Sequence, residues 1–131
     1  MFGNSQMSGV DLAFPDVCMT PVGATPVPIP YPNIAVGPTG VPPIAKILFS
    51  CAPSHNMSTQ MVTSMGDNGG VATGVASGTV MLQARHVTAA FTVLLCGLPA
   101  TRMTSVTMQN STNSIGMRIA PSQVKVLLLA P

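Results

Sequence analysis

Apolar positions along this chain fall into short runs, and each run ends at glycine, proline, asparagine or aspartate. The runs predict four strands, Ala45–Ser50, Gly78–Leu82, Phe91–Cys96 and Gln123–Leu129, and three weaker ones, Met61–Ser64, His86–Val87 and Gly116–Ile119. The cluster from Gly66 to Gly70 places Asp and Asn beside Gly, which favours the positive φ values of tight turns. No stretch longer than about 12 residues keeps helical spacing without Gly, Pro or a β-branched cluster. The pattern therefore predicts an all-β protein of short hairpins.

One segment of this pattern occurs twice. Residues 46–59 align without a gap on residues 92–105, and the two copies share Leu48/Leu94, Pro53/Pro99 and Met57/Met103. A third, partial copy at residues 125–129 echoes residues 46–50. A repeated hairpin cannot cover its own apolar face, so the copies are expected to pack against one another.

Most of the thirteen prolines lie in residues 15–43, where Pro26, Pro28, Pro30 and Pro32 alternate with other residues. Proline fixes φ and lacks an N–H donor, so this segment predicts a stiff, polyproline-like arm that wraps the fold without a full ladder to a central strand. A ligand for an aromatic-lined groove is the alternative. The length predicts one domain over residues 1–131, with a polar lead-in (1–14), the arm (15–43) and repeated hairpins (44–131).

Composition narrows the function. Only 6% of residues are charged and 4% are aromatic, with a net charge of +2. Without a basic stripe or stacking surface, nucleic-acid binding is not expected. Three Asp and two His are a small supply of groups for acid–base catalysis. No signal peptide is evident and no apolar run reaches the roughly 20 residues of a spanning helix, so we expect synthesis in the cytoplasm and no stable membrane insertion. The low charge fits either a surface covered by a partner or a neutral, hydroxyl-rich β surface.

Several motifs resemble the PAAR family. The second copy carries Pro99-Ala100-Thr101-Arg102 after a strand and a glycine turn, which is similar to the motif Pro-Ala-Ala-Arg, with Thr101 at the third position. In the first copy Pro53-Ser54-His55-Asn56 stands in the same register and departs further. The segments Phe14–Pro21 and Pro26–Ile34, and further on residues 64–70 and 74–78, resemble the PAAR-like branch of that family.

This resemblance implies a small conical, β-helix-like fold that caps the trimeric β-helical VgrG spike of type VI secretion and related contractile injection machines. We therefore expect a non-enzymatic spike tip that pierces the envelope, links an effector in a separate chain and leaves the cell with the spike. Its spike-binding base would include residues near Ile44–Phe49 and the C-terminal strand, for which a plain core role is the alternative. Two other functions stay open: a self-assembling trimeric tail-tip or adhesin piece, and a small thiol hydrolase.

A metal is the remaining question. The resemblance implies a zinc site of three His and one Cys near the point, but His55 and His86 are the only histidines, so that set is incomplete and no cofactor is predicted. A mixed Cys/His set suits tetrahedral zinc, and the candidates are Cys18, His55 and His86. Three scattered cysteines predict free thiols. Arg102 is expected to pair with turn carbonyls or with an acid, Asp67 being the nearest candidate by motif.

Overall fold

A computed structural model describes residues 1–129 of the chain. These residues form twelve strands and one 3-10 turn, with no α-helix among them, which confirms the all-β prediction. No helix in the described part of the chain is long and apolar enough to cross a membrane. The strands, in chain order, are β1 (Val10–Val22), β2 (Thr25–Val36), β3 (Gly40–Val41), β4 (Ile44–Phe49), β5 (Ala52–Ser54), β6 (Gln60–Met61), β7 (Ser64–Met65), β8 (Ala84–His86), β9 (Ala90–Leu95), β10 (Leu98–Ala100), β11 (Val106–Gln109) and β12 (Ser114–Ala120).

Eight strands form one large sheet in the order β3-β6-β8-β11-β12-β1-β2-β7. Its longest part is the β1–β2 hairpin, which pairs from Val10↔Val36 to Val22↔Thr25. The proline-rich segment is thus two paired strands, and its prediction as a polyproline-like wrap was wrong. Prolines at every second position remove donors from one edge of β2 only, so the residues between them can still pair with β1. On the other edge, β7 reaches only Ile34 and Ala35, beyond that proline run.

The structure confirms some of the predicted strands and contradicts others. Strands β4 and β9 confirm two of the four main ones, and β6, β7, β8 and β12 overlap the weaker ones. The strand predicted at Gly78–Leu82 was wrong. Side chains there occupy the donors that a ladder would need: Met81 N–H donates to Asp67 Oδ2 at 3.1 Å, and Leu82 N–H donates to Asn110 Oδ1 at 3.3 Å.

The two aligned segments form the same hairpin twice. In β4–β5 the partners are Ile44↔Ser54, Leu48↔Pro53 and Phe49↔Ala52. In β9–β10 each partner lies 46 positions later, at Ala90↔Ala100, Leu94↔Pro99 and Leu95↔Leu98, with the register shift in the same place. The internal repeat is therefore a structural repeat.

A third hairpin of the same kind is assembled from the two ends of the chain. Leu127 bridges Phe2, Gly3 N–H donates to Val126 O at 3.0 Å, and Leu128 N–H donates to Met1 O at 2.8 Å. The first of these contacts reproduces Leu48↔Pro53 in β4–β5. Residues 125–129 are hence the third copy that the sequence indicated, although only an isolated bridge forms there instead of the predicted strand Gln123–Leu129. Residues 2–6, expected to be lead-in, complete it.

The three hairpins are joined in a closed ring. His55 N–H donates to Asn4 O at 3.0 Å, Asn4 N–H donates to Thr101 O at 3.0 Å, and Thr101 N–H donates to His55 O at 3.4 Å. A second set of backbone hydrogen bonds repeats the cycle through flanking residues. The N–H groups of Met57, Met103 and Gln6 donate to Pro99 O, Phe2 O and Pro53 O, respectively. One chain thus builds a layer with approximate threefold symmetry. We call residues 1–6, 44–57, 90–103 and 123–129 the three-hairpin layer.

The main apolar core lies inside this layer and follows its symmetry. Phe49, Leu95 and Leu128 occupy equivalent positions and are buried, together with Ala90 and Ala100. Ile47, Val93 and Val126, which are also equivalent to one another, pack against them. Each hairpin therefore contributes the same two apolar positions to one shared core. Side chains next to the buried positions accordingly point away from this core.

Candidate functional site

Three equivalent leucines of the three-hairpin layer are exposed to solvent. Side chains alternate along an extended strand, so burial of Phe49, Leu95 and Leu128 turns the preceding residue outward. Leu48, Leu94 and Leu127 are accordingly 56%, 58% and 52% exposed. Large apolar side chains at three symmetry-related points, in a chain with few charges, mark an interaction surface more than a solvated one.

Further positions extend this surface. Phe91 and Val124 are equivalent to each other and are 59% and 66% exposed, and Met1 and Leu98, also equivalent, are exposed. The layer contains no acidic residue, since the chain's three Asp all lie outside it. Lys46 and Lys125 are equivalent and exposed. The layer therefore combines exposed apolar side chains with two exposed positive charges.

The motif residues connect the hairpins. Pro53 and Pro99 stand opposite two of the exposed leucines, and the buried Ala100 bridges Asn56 of the neighbouring hairpin. Thr101 belongs to the hydrogen-bonded ring. The backbone N–H groups of Met57 and Met103 are donors in the second set of hydrogen bonds. Arg102 Nη1 donates to Leu128 O at 3.3 Å, a backbone carbonyl of the third hairpin outside any turn, and Arg102 also bridges Gly3. These residues fix the layer's geometry.

Buried polar side chains lie where the three-hairpin layer meets β8. His55 and Gln6 share a hydrogen bond of 2.8 Å, and His86 Nε2 lies 3.4 Å from Asn4 Nδ2. Burial, followed by the nearby positive charge of Arg118, lowers the pKa of both histidines to about 3. Both imidazoles are therefore neutral at pH 7.

A second buried cluster lies on the β1–β2 hairpin and the loop that packs on it. Cys18 Sγ is 3.4 Å from Asp16 Oδ1 and 3.7 Å from Asp67 Oδ2, and all three residues are fully buried. Burial, followed by the charge of Asp16, raises the pKa of the Cys18 thiol to about 12. Asp16 and Cys18 are two residues apart on an extended strand and so share one face, which the sequence could have shown. Asp67 comes from a distant turn.

The structure does not bring together the three zinc candidates named from the sequence. Within residues 1–129 the one close group of three or more ligand side chains is Asp16, Cys18 and Asp67. His55 and His86 lie apart from it, around Asn4 and Gln6. A three-His, one-Cys zinc site does not fit these residues.

The cysteines do not form a nucleophile–base pair. Cys51 and Cys96 are exposed free thiols at the hairpin turns, and Cys18 is buried. In the described residues no cysteine hydrogen-bonds a histidine; the partners of Cys18 Sγ are Asp16, Asp67, Asn110 and Asn113. This geometry gives no support to thiol hydrolysis.

Comparison with known proteins identifies a family. The family described as Toxin PAAR-like domain matches residues 9–116, which is most of the chain. The chain belongs to this PAAR-like family. No curated protein and no solved structure showed a significant match. The matched range includes the two internal hairpins and the Asp16–Cys18–Asp67 cluster, whereas the hairpin made by the chain ends lies outside it.

Proposed function

We propose that this PAAR-like protein caps the end of a trimeric β-helical spike of the VgrG type and sharpens it for passage through a membrane. In this proposal the three-hairpin layer is the base that meets the spike. The role is structural and needs no catalytic group. The effector, a separate chain, travels with the capped spike, which accords with the toxin association in the family's description.

The observation that carries the proposal is the internal threefold arrangement. A spike of three identical chains ends in three identical surfaces, and a single bound chain can contact all three equally only if it presents a threefold surface itself. The closed ring through Asn4, His55 and Thr101 provides that symmetry. Leu48, Leu94 and Leu127 give each spike subunit the same apolar anchor.

The charged side chains of the layer are consistent with a contact to the spike from which water is excluded. Its exposed cations, Lys46 and Lys125, lie among apolar side chains and no acid accompanies them. A spike end with carboxylates near the rim would satisfy both lysines, because an unpaired buried charge is costly. The expected partner is therefore an apolar β-helix end with an acidic rim.

The symmetry also bears on the trimeric tail-tip alternative. A chain that already contains three copies of the packing unit covers the apolar edges of its hairpins within one molecule. Self-trimerisation is then unnecessary for folding, and we propose that the chain alone is a monomer.

Binding to the recombinant C-terminal β-helix of a VgrG-type spike from the same genome tests the proposal, with calorimetry as the readout. In the decisive variant Leu48, Leu94 and Leu127 are all replaced by Asp. Loss of about 1.5 kcal/mol or more at each leucine predicts a Kd at least about 1000-fold weaker.

The matched control replaces three exposed apolar residues outside the layer, Val71, Val75 and Ile115, by Asp. This control has the same added charge and should bind as tightly as wild type. Equal weakening by both triple variants, or no complex with wild type at micromolar concentration, would contradict the proposal.

A further inference from the structure

The cluster at Cys18 brings two buried carboxyl groups and a thiol together without a cationic side chain. Asp16, Cys18 and Asp67 are all 0% exposed. Among residues 1–129 the one ion pair is Arg118 with Asp11, which lies elsewhere. Two carboxylates buried without a counterion are unfavourable, and proteins ordinarily pair such groups or use them to coordinate a metal.

Counting protons sharpens this point. A thiol has one proton, yet Cys18 Sγ lies near Asp16 Oδ1 at 3.4 Å and near Asp67 Oδ2 at 3.7 Å. One S–H can donate to only one of the two carboxylates. At least one contact between sulfur and oxygen therefore lacks a thiol proton as long as both carboxylates are ionised, and a cation beside the two atoms would stabilise it.

Two buried oxygens in the same place have no partner. Asp67 Oδ1 makes no hydrogen bond, and it belongs to the carboxylate whose other oxygen faces the sulfur. Asn33 Oδ1 is also without a partner, and the Nδ2 of the same amide lies 2.5 Å from Asp16 Oδ2. Buried acceptors without a donor cost about 1–3 kcal/mol each, so these two oxygens indicate a ligand beside the cluster.

The spacing of the ligand atoms fits a particular class of ion. Zinc binds thiolate at about 2.3 Å and carboxylate oxygen at about 2.0–2.2 Å with tetrahedral angles, which places sulfur and oxygen ligands about 3.5 Å apart. The two distances from Sγ, 3.4 and 3.7 Å, bracket that value. A mixed sulfur and oxygen set favours a borderline ion such as Zn²⁺ over Mg²⁺ or Ca²⁺, which take oxygen ligands.

Neighbouring amides orient the ligands. Asn110 Nδ2 donates to Asp67 Oδ2 at 2.8 Å, and Asn113 Nδ2 donates to Asp16 Oδ1. Hydrogen bonds of this kind fix ligating carboxylates in metal sites and contribute to metal affinity. They hold both carboxylates toward the sulfur.

We propose that Asp16, Cys18 and Asp67 form a zinc site that ties the 66–81 loop to strand β1. On binding, the ion forms a bond to sulfur and the thiol proton leaves to solvent. The loop has no ladder strand of its own beyond residue 65 and meets β1 through backbone contacts such as Met19 N–H to Thr73 O at 2.8 Å. The ion would add a crosslink between β1 and this loop. The site uses a carboxylate-rich ligand set and does not depend on spike binding.

Metal analysis of the full chain, purified without a His tag, tests the proposal. The expected result is one zinc ion per chain. Replacement of that ion by Co²⁺ should give the sulfur-to-metal charge-transfer absorption of a cobalt thiolate, and chelation of zinc should lower the melting temperature of the chain.

Cys18→Ser and Asp67→Asn should each weaken zinc binding at least about tenfold and remove or shift the cobalt absorption. Cys51→Ser and Cys96→Ser remove the exposed thiols and should leave zinc content and absorption unchanged. If Cys18→Ser does not fold, a cobalt titration of metal-stripped wild type decides the matter, since it needs no variant. A folded wild type with neither bound metal nor a cobalt thiolate band would overturn the proposal, and so would loss of metal in Cys51→Ser or Cys96→Ser.

Discussion

At the scale of single residues, the centre of this chain is filled by polar side chains. The fully buried residues of largest volume include Arg118, His55 and Gln109, where an ordinary core would hold Leu or Phe. The side-chain oxygens and nitrogens mostly pair with one another, which specifies their positions but makes them sensitive to protonation and to loss of a partner.

The first prediction concerns pH. The folded pKa of both His55 and His86 is lowered to about 3 from the ordinary value of 6.5, so the unfolded state takes up protons first as pH falls. Stability should be fully present above pH 6.5 and decrease as pH falls toward 3, by roughly 1.4 kcal/mol per pH unit for each histidine within that window. Urea unfolding at pH 7, 6 and 5 measures it.

His55→Gln keeps a polar side chain but cannot take up the proton, so its free energy of unfolding should depend less steeply on pH between 6 and 5. Arg118, Gln6 and Asp11 surround this histidine and are retained in the variant. An equal slope in wild type and variant would show that His55 is not the titrating group.

The second prediction concerns the buried ion pair. Arg118 donates to Asp11 Oδ1 at 2.5 Å and to Oδ2 at 3.0 Å, with both side chains inaccessible. Asp11→Asn leaves the guanidinium buried without its counterion and should cost about 3–5 kcal/mol of unfolding free energy. The double variant Asp11→Asn, Arg118→Met removes both charges and should lose less, as a double-mutant cycle in urea measures. A double variant less stable than Asp11→Asn alone would contradict this account.

The sequence could predict only part of this residue-scale picture. Cys18 was named from the sequence, because cysteine and histidine are the usual zinc ligands. Its real neighbours are Asp16, two positions earlier on the same strand face, and Asp67, from a turn 49 residues away. Pairing with so distant a turn depends on the tertiary fold, and no local pattern encodes it.

At the scale of elements, the repeat provides an internal control for hairpin turns. Gly97 has φ +86° and no atom within 4 Å of an added Cβ, whereas the equivalent Cys51 has φ +66° with a side chain present. Positive φ is unfavourable for residues that have a Cβ. Gly97→Ala should therefore cost about 1 kcal/mol, and Cys51→Gly should be neutral or stabilise by up to about 1 kcal/mol.

Thermal unfolding of the two variants beside wild type measures the difference. Because the Ala methyl at position 97 meets open space, any loss reflects backbone conformation alone. Destabilisation by both substitutions would show that the two turns are not conformationally equivalent.

The third hairpin gives a prediction at the C-terminal end of the described chain. Leu128 is 7% exposed and occupies the position of Leu95, while the adjacent Leu129 is 83% exposed. Leu128→Ala should cost about 2–4 kcal/mol, close to the cost of Leu95→Ala, and Leu129→Ala should cost less than about 0.5 kcal/mol. Chemical unfolding distinguishes them. A negligible loss for Leu128→Ala would mean that the chain ends do not complete the layer.

Strands were predictable from the sequence where local residue patterns determine them. They were less predictable where pairing with a distant segment determines them. Leu48 and Leu94 revealed β4 and β9 because a repeated apolar run with a turn needs no partner to be recognised. The proline run led to a wrong prediction. A missing N–H donor disrupts a strand only on the edge where that donor would pair, and the backbone nitrogen of Pro28 points away from β1. Residues 2–6 looked like a lead-in because their partner strand lies at the opposite end of the chain.

At the scale of the whole molecule, one chain folds into an approximately threefold layer, and we propose that this layer docks on a threefold partner. The symmetry follows from three hairpins, two of them internal and one made by the chain ends, around the ring of Asn4, His55 and Thr101. The apolar anchors Leu48, Leu94 and Leu127 follow the same symmetry.

The most direct test is the mass of the complex, measured by light scattering during gel filtration, for the chain alone and after mixing with the trimeric spike end. The account predicts a monomer of 13.4 kDa in isolation and a complex of one chain with three spike subunits. A stable trimer of the chain alone, or three copies bound to each spike, would contradict it.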